Sequence, residues 1–219
     1  MGEVVGHDLF NVLLVGVGGQ GIVLAGDLLA NAALLHGLDV KKSEIHGMSQ
    51  RGGSVSSHVR FGSRVFSPVI SEGEADVLLA FERLEALRCV SYLRPGGLAL
   101  INDQVILPAP VLAGAATYPQ EIEQEFKRRD LRMLVVAGAV IAELAGNPLT
   151  VNVALLGALS RWLPLPGEVW DAALAAHVKP AFLQVNRKAF QLGVQAAEKA
   201  AVNASEPALF DPNYWTAER

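Results

Sequence analysis

The sequence is poor in cysteine, since Cys89 is the one thiol among 219 residues. A single cysteine cannot form an internal disulfide or a zinc site of thiolates, and it is three short of the four thiolates that an iron–sulfur cluster normally needs. The histidines show no metal-ligand spacing. We therefore expect no metal on this chain, and any iron–sulfur cluster that its function needs should lie on another chain.

Charge is scarce as well. Charged residues make up 18% of the chain, against about 25% in an average soluble domain. The net charge is −4 and no run of Lys and Arg exceeds three residues, so the basic footprint of a nucleic-acid-binding protein is absent. The apolar share of 51% has two explanations that composition leaves open: a doubly buried sheet with a subunit interface, or an alanine-rich chain.

Long apolar runs and several catalytic motifs are also missing. The longest uncharged apolar run, 133–142, is about half as long as a membrane helix, and residues 1–8 have no basic region followed by an apolar one. The motifs G-x-S-x-G, H-E-x-x-H and G-x-x-x-x-G-K-[ST] do not occur, so nucleophile-elbow, zincin and P-loop chemistry lack support. We expect a soluble, cytoplasmic protein that binds neither nucleic acid nor membrane.

The chain instead alternates strand and helix patterns. A nearly continuous apolar run at 10–17 leads into an amphipathic helix at 22–36 and a more polar strand at 40–45. Further strands are predicted at 75–81, 98–102 and 131–136, a loop at 108–114, and helices at 82–93, 121–130, 139–145, 152–163, 168–178 and 180–201. This order is typical of a parallel sheet covered by helices.

Residues 54–61 differ, because apolar and polar side chains alternate there. Gly62 and Ser63 suit a two-residue turn into a strand at 65–70, so we predict a β-hairpin and hence a mixed sheet. The predicted fold is a single α/β domain, a three-layer α/β/α arrangement with a Rossmann-like mixed sheet and a helical C-terminal part. The main domain should span 10–193, and 203–219 should be an irregular tail.

A glycine-rich motif, G-V-G-G-Q-G, lies between the first strand and the first helix. Its candidate binding residues are Gly16, Gly18, Gly19, Gln20 and Gly21. Glycines in this context let backbone N–H groups approach an anion at a helix N-terminus.

The dinucleotide interpretation of this motif also requires an acid at the end of the second strand. Asp39 precedes that strand, and Lys41, Lys42 and Ser43 occupy it. Three interpretations stay open: tight packing of helix on strand, binding of NAD or FAD, or binding of another anionic ligand or a partner segment.

A second loop follows the second strand, where open α/β sheets bind ligands. Its candidate residues are His46, Ser49, Gln50, Arg51, Gly52 and Gly53. An arginine flanked by glycines offers a guanidinium and exposed amides to a carboxylate, a phosphate or a partner backbone, although an ordinary surface loop explains the composition equally well. Arg51 is the one candidate for a catalytic role.

The two loops should lie side by side, because a right-handed βαβ unit returns its second strand parallel to the first. Both would then form one functional surface with Arg51 as its main charge. His58 and Arg60 should be satisfied or solvated side chains rather than ligands. Asn152 and Asn186 fall within predicted helices and should hydrogen-bond to loops, and Asn152 is also kept as a candidate binding residue.

Together these segments resemble a known family. The carrying residues are G-V-G-G-Q-G (16–21), K-K-S-E-I-H-G-M-S-Q-R-G-G-S-V-S-S-H-V-R (41–60), A-D-V-L-L-A-F-E (75–82), P-G-G (95–97), E-L-A-G-N…N-V-A-L-L-G-A-L (143–159) and N-x-x-A-F-x-x-G (186–193). They are similar to the gamma-type subunit of 2-oxoacid:ferredoxin oxidoreductases and, within that family, to the small beta subunits of indolepyruvate ferredoxin oxidoreductases. The likeness covers about 11–193.

The resemblance implies a small subunit of an assembly that converts a 2-oxo acid, here an arylpyruvate such as indolepyruvate, into acyl-CoA and CO2 while reducing ferredoxin. It implies no cofactor on this chain. Thiamine diphosphate, Mg²⁺ and [4Fe–4S] clusters are expected on a larger catalytic alpha-type subunit, with coenzyme A as co-substrate. In agreement, the only Gly-Asp pair, at 26–27, lies in a predicted helix rather than in a G-D-G…N motif.

The chain alone should therefore be inactive. The alternative is a free-standing nucleotide-binding enzyme, either NAD-dependent or adenylating. An adenylating enzyme of this type would need a D-x-D strand end and an N-x-x-R-Q segment, and neither occurs.

Overall fold

The computed structural model describes residues 9–46 and 52–203, which form one six-stranded sheet with helices on both faces. The strands are β1 (Leu9–Val17), β2 (Asp39–His46), β3 (Ser54–Gly62), β4 (Ala75–Ala80), β5 (Leu93–Asn102) and β6 (Arg132–Val136). The helices are α1 (Ile22–Leu35), α2 (Arg83–Arg88), α3 (Ala109–Leu112), α4 (Ile122–Arg128), α5 (Gly138–Ala145), α6 (Val151–Leu159), α7 (Gly167–His177) and α8 (Pro180–Asn203). Short 3₁₀ turns occupy Val90–Tyr92, Pro148–Thr150 and Ser160–Trp162. The predicted single α/β/α domain is confirmed.

The strand order across the sheet is β2-β3-β1-β4-β5-β6. Strand β3 is antiparallel to both of its neighbours, β2 and β1, whereas β1, β4, β5 and β6 are mutually parallel. The predicted mixed sheet is therefore confirmed. All strands except β3 end at the same edge of the sheet, here called the carboxyl edge, and β3 begins there.

Two apolar clusters hold the layers together. Val12 and Leu14 of β1 pack with α1 and with the helices α5 to α8, whereas Leu13 and Val15 pack with α2 and α4 on the opposite face. Alternate residues of a strand point to opposite faces, so burial on both faces explains the continuous apolar run of β1. Within 9–46 and 52–203, no helix has both the length and the apolar character needed to cross a membrane.

The predicted hairpin strand at 65–70 is wrong, because this segment lies across the side chains of β3 without forming a strand. The backbone N–H of Ile70 donates to Nδ1 of His58 at 3.2 Å, and the Arg60 guanidinium donates to the carbonyl of Val69 at 2.8 Å. Side chains thus satisfy backbone groups that a strand ladder would otherwise pair. The antiparallel partners of β3 are β1 and β2 instead.

Two further boundaries differ from the prediction. Strand β5 begins at Leu93 rather than at 98, so the helix predicted at 82–93 ends at Arg88 and a 3₁₀ turn follows. A register irregularity against β4 accommodates the P-G-G segment within β5. The predicted loop at 108–114 contains the single-turn helix α3.

Helices α6 and α8 cross with their backbones in contact. A Cβ atom on Gly157 would overlap the carbonyl oxygen of Phe190, and one on Gly193 would overlap the carbonyl oxygen of Ala154. These glycines belong to two of the segments that carry the family resemblance. Close helix packing explains their residue type without any contact to a ligand.

Candidate functional site

The glycine-rich loop joins β1 to α1 at the carboxyl edge. Gly21 has a φ of +80°, and a Cβ atom there would lie 2.7 Å from Nδ2 of Asn152. A Cβ atom on Gly16 would lie 2.7 Å from Oε1 of Gln20 and 2.8 Å from Cβ of Phe81. Local packing and backbone conformation therefore already require glycine at these two positions.

Gln20 anchors this loop to the neighbouring strands. Its Oε1 accepts the N–H of Val17 at 2.7 Å, and its Nε2 donates to the carbonyl of Phe81 at 2.8 Å and to Oε1 of Gln104 at 3.0 Å. The side chain bridges the crevice between β1 and β4, whose following helices lie on opposite faces of the sheet. Because both Nε2 hydrogens are engaged within the protein, Gln20 positions the loop rather than offering a free amide.

The described ends of the two candidate loops are hydrogen-bonded to each other. The N–H of Gly18 donates to the carbonyl of Gly53 at 2.8 Å, and the N–H of Gly52 donates to the carbonyl of Gly18 at 3.4 Å. His46 ends β2 and pairs with Val55 of β3 at the same edge. The remaining predicted residues, Ser49, Gln50 and Arg51, lie outside the described residues.

An open cleft of about 430 Å³ lies between the glycine-rich loop and strands β2 and β3. It is lined by Gly18, Gly19, Gly21, Ile22, Val23, Glu44, His46 and Val55. Sequence reasoning missed Glu44, although a carboxylate near the end of the second strand was the signal to look for. Val23 follows Gly21 closely in the sequence, whereas Val55 could not be assigned to this cleft from motifs because only the pairing of β3 with β1 brings it beside the glycine-rich loop.

The Glu44 carboxylate is held by Lys42. The ammonium group of Lys42 bridges Oδ1 of Asp27 in α1 and Oε1 of Glu44, each at 2.5 Å. Burial favours the neutral form of Lys42, but the hydrogen bonds to the two carboxylates outweigh it and raise the pKa of this side chain. The triad ties α1 to β2 and partly neutralises the acid in the cleft.

Glu85 anchors the end of the second loop through a hydrogen bond to Ser54, and sequence reasoning missed this residue. Its side chain is almost fully buried, and it accepts the Ser54 hydroxyl at 2.6 Å and the Arg88 guanidinium at 2.6 Å. Ser54 directly follows Gly53, so Glu85 fixes the chain where the loop enters β3. A buried acid is the usual signal of such a role, and burial is not visible from sequence.

The predicted polar residues outside the loops have mixed outcomes. Asn152 donates to the carbonyl of Gly21 at 3.4 Å, as predicted for a helix-to-loop contact. Asn186 donates to the carbonyl of Phe182 in its own helix at 2.9 Å, so its predicted bond to a loop is wrong. His58 and Arg60 are engaged within the protein, as predicted.

The side chains that could ligate a metal do not fit the thiamine diphosphate and iron–sulfur clusters that the resemblance implies for the assembly. Burial, together with the nearby Glu85 carboxylate, raises the pKa of Cys89 to about 11, so this thiol stays protonated near neutral pH and is a poor metal ligand. Asp27 of the Gly-Asp pair lies in α1, and its carboxylate accepts a hydrogen bond from Lys42. Within residues 9–46 and 52–203, no cluster of His, Cys, Asp and Glu side chains could hold the metal of either cofactor.

A dinucleotide fits poorly as well. In the dinucleotide-binding fold the second strand lies directly beside the first, and its terminal acid reaches the ribose. Here the antiparallel β3 separates β2 from β1. The acid that does reach the cleft, Glu44, is bound to Lys42.

Comparisons with known proteins agree with this architecture. Residues 11–196 match the model of the pyruvate ferredoxin/flavodoxin oxidoreductase family. The chain belongs to this family, and the resemblance inferred from the motifs is confirmed.

Individual relatives are similar to nearly the whole chain. Indolepyruvate oxidoreductase subunit IorB of Pyrococcus horikoshii is 44% identical over 198 residues, which cover 87% of this chain and 96% of the relative. The pyruvate/ketoisovalerate oxidoreductases common subunit gamma of Pyrococcus furiosus is 27% identical over 70% of this chain and 77% of its own length. Among solved structures, the gamma subunit of a keto/oxoacid ferredoxin oxidoreductase from Geobacter sulfurreducens superposes with a TM-score of 0.65 and 27% identity, over 87% of this chain and 99% of that one.

Proposed function

We propose that this chain is the small subunit of a 2-oxoacid:ferredoxin oxidoreductase that acts on an arylpyruvate such as indolepyruvate. The assembly would give acyl-CoA and CO2 and would reduce ferredoxin, with coenzyme A as co-substrate. The substrate class rests on the 44% identity to an indolepyruvate oxidoreductase subunit, which exceeds the 27% identity to the gamma subunit of pyruvate and ketoisovalerate enzymes.

The larger partner subunit would carry thiamine diphosphate, Mg²⁺ and the [4Fe–4S] clusters. This division is supported by the donor set of the chain, which has one cysteine and whose thiol has a raised pKa. Decarboxylation of a 2-oxo acid needs an electron sink, and thiamine diphosphate supplies it when bound. The residues of this chain would contribute a shaped surface rather than redox chemistry.

The single observation that carries the proposal is the 44% identity to an indolepyruvate oxidoreductase subunit, and the backbone pairing of Gly18 with Gly53 and Gly52 indicates where this chain would make its contacts. This pairing joins the described ends of the glycine-rich loop and the second loop at the carboxyl edge. Gln20 anchors the first loop to Phe81, and Glu85 anchors the second through Ser54. We assign partner or ligand contacts to this surface and the main charge to Arg51. The hydrogen bonds between Gly18, Gly52 and Gly53 fix these backbone positions before binding, which reduces the entropy lost when a partner binds.

Reconstitution with the larger subunit from the same organism tests the proposal. Co-expressed chains should purify as one complex that contains iron and thiamine diphosphate and reduces ferredoxin when indolepyruvate and coenzyme A are both supplied. Phenylpyruvate and pyruvate serve as substrate controls, and an arylpyruvate should be preferred. A larger subunit that turned over arylpyruvates equally well without this chain would refute the proposal.

The second candidate is a nucleotide-binding enzyme, either NAD-dependent or adenylating. It is favoured by the cleft at the glycine-rich loop, which has room for part of a nucleotide. Equilibrium dialysis of the isolated chain against NAD and ATP separates the two candidates. The subunit assignment predicts no retained nucleotide.

A further inference from the structure

A small hollow lies where the first turn of α1, the 3₁₀ turn at Pro148–Thr150 and the start of α8 meet. It has a volume of about 230 Å³ and is lined by Leu24, Asn147, Leu149, Thr150, Asn152, His177, Val178, Lys179, Phe182 and Asn186. We call it the Leu149 hollow. Asn152 links it to the proposed functional surface, because the same side chain contacts the carbonyl of Gly21.

The hollow displays an exposed leucine on a rigid support. Leu149 is 85% exposed, yet its backbone N–H donates to Oδ1 of Asn147 at 2.9 Å. The Thr150 hydroxyl donates to the carbonyl of Asn147 at 2.8 Å, and Thr150 itself is buried. A large apolar side chain that is exposed to water on an anchored backbone is the pre-organised kind of contact that binding interfaces use.

Further apolar surface surrounds this leucine. Phe182 at the start of α8 is 50% exposed, and Leu24 in the first turn of α1 is 37% exposed. Three elements that are distant in sequence thus bring their apolar side chains to one hollow. Its volume is enough for one apolar side chain but not for a dinucleotide or a coenzyme.

Two polar residues of the hollow indicate which groups of a binding partner would lie beside a bound apolar side chain. Asn186 is nine-tenths buried, its Nδ2 is used by the carbonyl of Phe182, and its Oδ1 has no partner within the described part of the chain. A free amide oxygen of this kind accepts an N–H group, which a polypeptide backbone supplies. Lys179 is the one formally charged residue among the described residues that line the hollow, so it favours a carboxylate nearby.

We propose that the Leu149 hollow docks a polypeptide segment of the larger subunit that presents an apolar side chain next to a carboxylate. The apolar side chain enters between Leu24, Leu149 and Phe182, its backbone N–H donates to Asn186, and the carboxylate pairs with Lys179. The inference rests on the proposed function, because that function supplies the partner chain. The contact to Gly21 through Asn152 makes the docking site continuous with the two loops.

Binding of the full-length chain to the purified larger subunit tests this docking site. Leu149→Asp should raise the dissociation constant at least about tenfold, because a charge replaces an interface anchor. Leu112→Asp is the matched control, since Leu112 is 71% exposed but lies on α3 outside the hollow. Its dissociation constant should equal that of the wild type.

A charge reversal tests the carboxylate separately. Lys179→Glu should slow association and reduce its salt dependence, whereas Lys188→Glu on the exposed side of α8 should change neither. Thermal unfolding of each variant verifies that the fold is kept. Wild-type affinity for both Leu149→Asp and Lys179→Glu would overturn the docking site and leave the proposed function intact. Failure of the wild-type chain itself to bind the larger subunit would overturn both.

Discussion

At the residue scale, His58 links stability to pH. Its ring is almost fully buried and Nδ1 accepts the N–H of Ile70. Burial and the nearby Arg60 lower the pKa of His58, so the unfolded chain takes up a proton near pH 6.5 while the folded protein still keeps this ring neutral. The free energy of unfolding should therefore decrease as the pH falls below about 6.5.

Urea denaturation of the wild type and of His58→Gln between pH 8 and pH 5.5 measures this effect. Glutamine keeps an acceptor for Ile70 but does not titrate, so the pH-dependent loss of stability should be smaller in this variant. His36→Gln, which alters an exposed histidine, should keep the wild-type slope. Equal slopes for wild type and His58→Gln would show that His58 is not the titrating group.

Gln20 allows a second test with an isosteric change. In Gln20→Glu a carboxylate would face the carbonyl of Phe81 and Oε1 of Gln104, both of which are acceptors. We expect a loss of about 1–3 kcal/mol of unfolding free energy at pH 7, because two hydrogen bonds are lost and acceptors are left opposed. The loss should shrink in acid as the new carboxyl group protonates. Gln191→Glu on the exposed surface of α8 is the control, and an equal effect there would contradict the anchoring role.

Arg51 lies outside the described residues, and its proposed role can be tested by substitution and enzyme kinetics. Arg51→Lys keeps the positive charge but loses the planar guanidinium, so turnover of the reconstituted complex should fall far more than with Arg64→Lys at an exposed position. A lower kcat would indicate an interaction made in the transition state, and a higher KM alone would indicate uniform binding of substrate or coenzyme A. Unchanged kinetics in both variants would assign residues 46–53 to an ordinary surface loop.

At the element scale, the crossing of α6 and α8 depends on two glycines. Gly193→Ala and Gly157→Ala each place a methyl group against a backbone carbonyl, which cannot move like a side chain. Each should cost about 3 kcal/mol or more of unfolding free energy, at the upper end of overpacking effects. Gly167→Ala, in open space at the start of α7, should be neutral or stabilise by up to about 1 kcal/mol. Chemical denaturation of the three variants measures the difference, and similar stabilities would refute the close crossing.

Charged side chains protect the β2 edge of the sheet. Strand β2 forms one edge and carries Lys41, Lys42 and Glu44, charges that discourage pairing with another strand. The antiparallel β3 inside this edge brings the second loop back to the glycine-rich loop. The hydrogen bond between Gly18 and Gly53 thus follows from the pairing of β3 with β1.

At the scale of the whole molecule, the chain should be inactive without its partner. The isolated protein should be colourless, contain no iron or thiamine diphosphate, and fail to oxidise arylpyruvates with coenzyme A and an artificial electron acceptor. The physical reason is the donor set, in which one protonated thiol cannot ligate a cluster. Metal analysis, visible absorption and an activity assay measure this, and a cluster that assembled on the isolated chain would contradict it.

The sequence by itself determined the order of strands and helices except at 65–70, because hydrophobic periodicity is a local property that reports which faces are buried. It also indicated that β1 and β2 run parallel and end at one edge, whereas the contact of Gly18 with Gly53 there depends on the pairing of β3 with β1. The motifs around Gly16 and Gly52 were likewise enough to identify the family.

Only the tertiary structure decided which strands are neighbours and what the side chains do there. Strand β3 lies between β1 and β2, and the N–H of Ile70 donates to His58. Both features depend on groups that are separated in the chain. The burial of Glu85, the binding of Glu44 to Lys42 and the contact of α6 with α8 have the same origin. Such contacts are set by packing and by the satisfaction of buried polar groups, which no local pattern in the sequence encodes.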